Sequence, residues 1–301
     1  MAVITTGSHP KALWPGVYAW FGAKYNEHGD QNVKLFDAKT SNKNYEEIVE
    51  QTGFGIAPVK AEGSGAAYDS HAQGVTSRGT NVAYALGYIV TREEKDDNLY
   101  EAVSMQRAAS LAFSMATTRN IVGANVYNRA FNSSYTGGDG KELLATDHGS
   151  LVGNQSNELA TAADLSEASI EDLTINILDA KNSKCLQIAL QPKCLIIPTA
   201  LTYEAQRILK SSLQAGSANN DINALNSMNV IPDIAVNNYL TDSDAWFIRT
   251  NAPESLCWFD RNAVEFSKDE DFDTDNAKAK AYMRFVPFWG DWRGLYGSPG
   301  A

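Results

Sequence analysis

Val82-Ala83-Tyr84-Ala85-Leu86-Gly87-Tyr88-Ile89-Val90 runs, after a short charged link, into Leu99-Tyr100-Glu101-Ala102-Val103-Ser104-Met105-Gln106-Arg107-Ala108-Ala109-Ser110-Leu111-Ala112-Phe113. The first half places Val82, Tyr84, Leu86, Tyr88 and Val90 on one side of a period-two pattern, which predicts a strand with one apolar face. The second half switches period: Leu99, Ala102, Val103, Met105, Ala108, Ala109, Ala112, Phe113 and Ala116 form a broad helical stripe. Asp96-Asp97 suits the positive end of a helix. No proline interrupts the run and its only glycine is Gly123, so one helix is predicted over about Asp97–Phe131, roughly 45–50 Å long. Its small alanines let other elements approach closely, as in a strut.

Upstream, Gly55–Tyr68 reads as a first strand opening with Phe54-Gly55-Ile56-Ala57-Pro58-Val59. The polar, glycine-rich segment Asp69–Gly79 reads as the exposed tip between it and the second strand. A two-strand projection of this length is not stable in water alone. Its apolar face must be covered, by the parent domain or by a neighbour. Residues 1–52 read as an arm. Leu13-Trp14-Pro15-Gly16-Val17-Tyr18-Ala19-Trp20-Phe21 is strongly aromatic, but Pro15, Gly16 and Gly22 argue against a long regular element. Asn44–Glu50 predicts one or two helical turns. The aromatic segment packs either on its own domain or on another subunit.

Downstream, Asn132–Gly140 is a loop, Leu165–Ala180 and Leu201–Ser211 are amphipathic helices, and Cys194–Ile197 is a buried strand stopped by Pro198. Ala215–Asn220 has mobile-loop composition. Asp233–Asn238 and Ala245–Thr250 read as strands joined across Thr241-Asp242-Ser243-Asp244. A closing hairpin follows, Trp258–Phe266 and the alternation Ala279, Ala281, Met283, Phe285, ending in Phe288-Trp289-Gly290-Asp291-Trp292-Arg293-Gly294. The pattern predicts an α+β fold.

The 301 residues are 44% hydrophobic and 20% charged, enough for a substantial core. The longest apolar runs fall far short of the ~20 residues of a membrane helix. Met1–Thr6 shows no basic segment before an apolar run, so no signal peptide is expected and synthesis in a cytosol is. Cys185, Cys194 and Cys257 are too few for a disulfide framework, and His9, His28, His71 and His148 lack ligand spacing, so no metal or cofactor is expected. A net charge of −11 without a basic cluster argues against affinity-driven nucleic-acid binding, yet suits a wall that encloses nucleic acid without adhering to it.

The candidate motifs for chemistry fail on spacing. Asp271-Phe272-Asp273-Thr274-Asp275-Asn276 begins like a calcium loop but has Asn276 where glycine is required and Tyr282 where a glutamate is. Gly137-Gly138-Asp139-Gly140-Lys141 lacks the four-residue gap of a phosphate loop, and Glu142 follows the lysine. Asp147-His148-Gly149-Ser150 lines up triad residue types that neighbours in sequence rarely converge in space. No catalytic residue is assigned.

Several stretches in order carry a resemblance: Asn125-Val126-Tyr127-Asn128-Arg129-Ala130-Phe131-Asn132, Gly140–His148, Ala218–Leu225, Tyr239–Phe247 and the terminal Gly294–Ala301. From about residue 45 onward the chain resembles a major capsid (head) protein of tailed bacteriophages, with the Hong Kong 97-type fold, in the branch that includes Mu-like major head subunits. The resemblance implies an N-terminal arm at 1–52 and an extended β-hairpin loop at 53–92. It implies a peripheral domain from 93–131, the spine helix, and 251–301, and a central α/β axial domain at 132–250. Function would be self-assembly into pentamers and hexamers of an icosahedral head enclosing double-stranded DNA, built in the host cytoplasm and retained in the virion. Partners would be further copies of the chain, a portal and a decoration or cement protein. The long coiled-coil pro-segment of some members is not seen, which implies a separate scaffolding protein. Lys60 is the only lysine between Gly53 and Arg92 and sits near the loop base, so covalent crosslinking is not expected. Trp14, Tyr18, Trp20, Phe21, Tyr68, Tyr84 and Tyr88 are the candidate inter-subunit contacts. The alternatives are an encapsulin-like nanocompartment shell and a cytosolic α+β enzyme with an unrecognised site.

Overall fold

A computed structural model describes residues 14–96, 100–150, 153–214, 221–270 and 276–301. In chain order the elements are α1 (Trp14–Glu27), β1 (Asp37–Thr40), β2 (Tyr45–Gln51), β3 (Gln73–Thr80), β4 (Val82–Val90), α2 (Arg92–Asp96), α3 (Tyr100–Asn128), β5 (His148–Ser150) and β6 (Gly153–Gln155). There follow α4 (Glu167–Leu178), β7 (Pro192–Ile197), α5 (Thr202–Lys210), α6 (Ala224–Ser227), β8 (Asp233–Val236), β9 (Trp246–Thr250), β10 (Leu256–Glu270), β11 (Ala277–Trp289) and β12 (Leu295–Ser298). The stretches Asp271–Asp275 and Ala215–Asn220 singled out above lie outside the described residues.

Two four-stranded sheets organise the chain. The first has the order β1-β10-β11-β4, with β1 parallel to β10 and the other pairs antiparallel. Helix α3 spans 29 residues, about 43 Å. It buries Ala108, Leu111, Ala112 and Met115 in one core with Val17 and Phe21 of α1 and Ala279, Ala281, Met283 and Phe285 of β11. Arg119 fastens α3 to the sheet: its guanidinium forks onto Asp260 at 2.7 and 2.9 Å, reaches Asp30 at 3.2 Å, and lies over the Trp258 ring at 4.4 Å.

The second sheet has the order β12-β9-β7-β8. One of its faces packs Leu195, Ile197, Trp246, Ile248 and Tyr296 against Ile170, Leu173 and Ile177 of α4 and Ala205 and Leu209 of α5. From the other face Cys194, Ile196 and Phe247 join the core of α3, where Phe247 meets Tyr127 edge-on at 5.5 Å. The two layers therefore share α3 as a common wall.

Several elements depart from the sequence reading. Residues 14–27 form a helix despite Pro15, Gly16 and Gly22. Proline in the first turn gives up an N–H that has no helical partner anyway, and Val17 and Phe21, four apart, dock in the core. Tyr45–Gln51 is a strand rather than helical turns, because Ile48 needs the pocket of Cys257, Phe259 and Val286. The expected first strand at Gly55–Tyr68 does not form, and the supposed tip supplies β3 instead. Strands β3 and β4 do not form a hairpin with each other: β3 pairs with β2, and β4 pairs with β11. Strands β8 and β9 are separated by β7, so the Thr241–Asp244 turn joins non-neighbours. Beyond β11 the chain crosses to the second sheet, where β12 pairs with β9.

Candidate assembly interface

Residues 52–72 leave the β2–β3 stem as an irregular projection, and its root is closed by short hydrogen bonds. Thr52 N–H and Oγ1 donate to the Ala72 carbonyl at 3.1 and 2.9 Å, and Ala72 N–H donates back to Thr52 Oγ1 at 3.0 Å. One turn further out, Asp69 accepts from Gly55 N–H and from Lys184 Nζ, both at 2.7 Å. The Lys184 ammonium, helped by the Gly55 and Ser70 N–H groups, holds the Asp69 carboxyl down to about 2. Beyond this clamp the side chains stand in solvent: Val59 is 100% exposed, Tyr68 97% and Ile56 82%. Pro58 and glycines at 53, 55, 63 and 65 deny the segment a ladder of its own.

The stem beneath is rigid. Arg78 pairs with Glu47 at 2.8 Å and lies over the Tyr45 ring at 4.0 Å. Gly79 sits so close to Phe288 that a Cβ there would lie 2.3 Å from the ring. Arg293, buried, bonds the Lys181 carbonyl at 2.8 Å and Asp291 at 3.1 Å. Burial pushes the Asp291 carboxyl up, against the pull of Arg293. Glu50, at the end of β2, accepts from Ser183 at 2.5 Å. The projection is thus anchored to the first sheet at Phe288 and to the α4–β7 segment at Ser183 and Lys184, while its apolar side chains are not covered.

The sequence-chosen contact residues divide. Tyr18 is 61% exposed and only its edge meets Phe266, at 6.2 Å. Trp20 is partly exposed beneath Lys24, 4.9 Å from its ring. Tyr68 is free on the projection. Phe21 is buried and stacked on Phe266 at 4.9 Å, so it serves the subunit's own core and offers no outer surface. Tyr84 is half-buried and stacks on Phe285 at 4.9 Å, and Tyr88 lines a cleft with Arg107 of α3. The Trp14 side chain lies outside the described residues. These residues do not gather into one patch: Tyr18 and Trp20 ride on α1, and Tyr68 stands on the projection. Ile56 and Val59 were missed as surface residues, although Pro58 between them was a signal against a strand.

The motifs set aside on spacing have structural work. His148 is fully buried, with Nδ1 2.7 Å from Asp139 and Nε2 3.2 Å from Asn157 Oδ1, and it stacks on Trp292 at 4.4 Å. Ser150 Oγ donates to the Gly153 carbonyl at 2.6 Å, away from the imidazole's two partners. Gly137 makes room for Trp289, whose ring would lie 1.9 Å from a Cβ there, which explains the glycine run without a phosphate. Among the described residues no cluster of His, Cys, Asp or Glu could hold a metal, and no helix is long and apolar enough to cross a membrane.

A family model described as phage capsid protein matches residues 75–298, well over half the chain. The chain belongs to the phage capsid protein family. The fold agrees. The capsid protein's structure is similar to that of mycobacterium phage Adephagia, with a TM-score of 0.54 at 11% identity over 91% of this chain and 90% of that one. It is also similar to the capsid of Myoviridae phage XM1, with a TM-score of 0.53 at 8% identity over 90% and 92%. The virus-like particle from Pyrococcus furiosus shares the fold, with a TM-score of 0.51 at 9% identity over 95% and 98%. No curated protein sequence matches. The expected α+β capsid fold is therefore borne out, and the family is one of structural proteins.

Proposed function

We propose that the chain is the major subunit of a phage head, that it assembles through pentamers and hexamers into an icosahedral shell around double-stranded DNA, and that it performs no catalysis. The observation that carries this is the projection at residues 52–72, anchored by Thr52, Asp69 and Lys184 yet exposing Ile56, Val59 and Tyr68. In a capsid family member such a surface is completed by another copy, and each 100 Å² of apolar area covered there contributes about 2.5 kcal/mol. On this reading the first sheet with α3 is the peripheral domain, the second sheet with its helices is the axial domain, and Tyr18, Trp20 and Tyr68 meet neighbouring subunits. The resemblance adds a scaffolding protein, a portal and a decoration protein as partners, assembly in the host cytoplasm and residence in the virion. The acidic charge suits a wall that does not adhere to packaged DNA.

The test is negative-stain electron microscopy of the purified chain, alone and co-expressed with a candidate scaffolding protein, with light scattering on the eluted species. Rings, tubes or closed shells are expected. A stable monomer under both conditions would return the chain to the enzyme reading. The second reading, a nanocompartment shell, is favoured by the likeness to the virus-like particle. Protein cargo in place of nucleic acid inside the particles would select it.

A further inference from the structure

Two surfaces on the helical layer of the second sheet are complementary to each other. The first is a groove of about 570 Å³ between α4 and the segment from α6 to β8. Ile175, Leu178 and Met228 line it, Met228 with 75% of its surface exposed, together with Pro192 and Pro232. Its one charged lining residue is Glu171. Asp172 in α4 and Asp179, which caps its C-terminal end, are exposed and lie about a quarter turn round the helix from the groove-lining row of Glu171, Ile175 and Leu178, so they form the acidic outer flank of the groove wall. No lysine or arginine lines the groove.

The second surface is the outer stripe of α5. Tyr203, Gln206, Arg207 and Lys210 share one face by their three- and four-residue spacing, opposite the fully buried Ala205. Tyr203 is 79% exposed. Glu204 sits on the flank, about a quarter turn away. A chain with 25 basic against 36 acidic residues here sets two cations around an exposed aromatic ring. Helix α5 cannot fill the groove of its own chain: Asn223 and Asn226 Nδ2 donate to the Ile208 and Leu209 carbonyls at 2.6 and 2.9 Å, which pins it to α6, and none of its residues lines the groove.

We propose that α5 of one copy docks in the α4–α6 groove of the next, with Tyr203 between Leu178 and Met228 and with Arg207 and Lys210 facing Glu171, Asp172 and Asp179. The inference rests on the reading of the chain as a shell subunit. The two patches differ, so the contact is head-to-tail and continues from copy to copy, into a ring where the rotation closes, rather than stopping at a pair. A tyrosine in an apolar slot anchors such an interface, while the rim charges set register and speed of encounter.

The experiment uses the full chain with Cys185→Ser to remove the half-exposed thiol. Tyr203→Cys and Met228→Cys are made in separate preparations and oxidised alone and mixed. Disulfide-linked dimers are expected in the mixture at a yield at least tenfold above either preparation alone; equal yields would overturn the docking. In parallel, Arg207→Glu with Lys210→Glu is expected to raise the protein concentration needed for particles about tenfold or more. Adding Glu171→Lys, Asp172→Lys and Asp179→Lys is expected to restore it. Circular dichroism melts confirm that these surface variants stay folded. If the unmodified chain forms particles and both Tyr203→Ala and the charge-reversed variant assemble like it, the docking fails and the shell reading stands. If the unmodified chain never assembles, the shell reading fails and takes the docking with it.

Discussion

Gly123 lies in the last third of α3, where alanine would ordinarily be preferred by about 1 kcal/mol. The structure reverses that expectation. A Cβ built at Gly123 would stand 2.0 Å from Asn32 Oδ1, 2.7 Å from its Cγ and 3.1 Å from the Trp258 ring. Asn32 cannot simply retreat. Its N–H is bound to Asp30 at 2.9 Å, its Nδ2 donates to the Arg119 carbonyl at 3.3 Å and to Asn120 Oδ1 at 3.2 Å, and its carbonyl receives Leu35 and Phe36 N–H at 2.9 and 3.1 Å. A shift of more than 1 Å is needed to reach ordinary contact at roughly 3.4 Å. That shift breaks the two Nδ2 bonds, about 1 kcal/mol each, and overpacks a tight junction, about 2 kcal/mol. Against the gain in helix propensity, Gly123→Ala is expected to destabilise the subunit by about 3 kcal/mol.

The assay is urea unfolding of dissociated subunits followed by tryptophan fluorescence, with Gly22→Ala as the companion. Gly22 lies inside α1 with nothing within 4 Å of its built Cβ, so the same chemical change there is expected to stabilise by about 0.5–1 kcal/mol. Opposite signs support the packing argument. A Gly123→Ala subunit as stable as the unmodified one would refute it. The sequence shows Gly123 only as the one glycine in the helical run; the contact with Asn32 makes it a weak point of folding.

Three further outcomes follow from named contacts. Arg119→Ala strips Asp260 and Asp30 of their shared partner, and a loss of about 3 kcal/mol in the same urea assay is expected; an unchanged midpoint would show the pair to be idle. The Asp69 carboxyl sits below its unfolded value, so its contribution to the loop root is complete above the ordinary aspartate value of 3.8 and is lost as pH falls toward about 2. Pepsin cleavage within residues 53–71 should accelerate across that window, and Lys184→Ala should raise trypsin cleavage at Lys60 at neutral pH; a flat cleavage rate in both would sink the clamp. Asn157→Ala removes a hydrogen bond from Ala145 N–H, from His148 Nε2 and from the Leu143, Trp292 and Leu295 carbonyls, of which the Trp292 carbonyl keeps the Leu295 N–H, so a loss above about 3 kcal/mol is expected, with Asn157→Asp failing to rescue because Nδ2 is the donor to the carbonyls.

The parts of this fold that are legible in the sequence are those whose own run of residues carries a clear period, even where the partner is remote. The α3 stripe, the strand at Val82–Val90 and α4 follow from periodicity, while the Ser166–Ser169 capping box that starts α4 shows only in the structure. What failed was set by remote partners. Tyr45–Gln51 has no strong strand signal, and becomes one because Ile48 enters a pocket made by residues more than 200 positions later. Residues 14–27 look too broken for a helix until α3 supplies a wall for Val17 and Phe21. The same distinction separates the contact candidates. Aromatic content marked Phe21 and Tyr18 alike, but the four-residue step from Val17 to Phe21 turns Phe21 inward and leaves Tyr18 outside. Aromatic content therefore signals burial somewhere, and only the fold decides whether that burial belongs to the subunit. A free loop could fold its apolar residues back onto its own surface, but the root at Thr52 and Asp69 fastens this one away from it; on the proposed reading of the chain as a shell subunit, another copy supplies the missing cover.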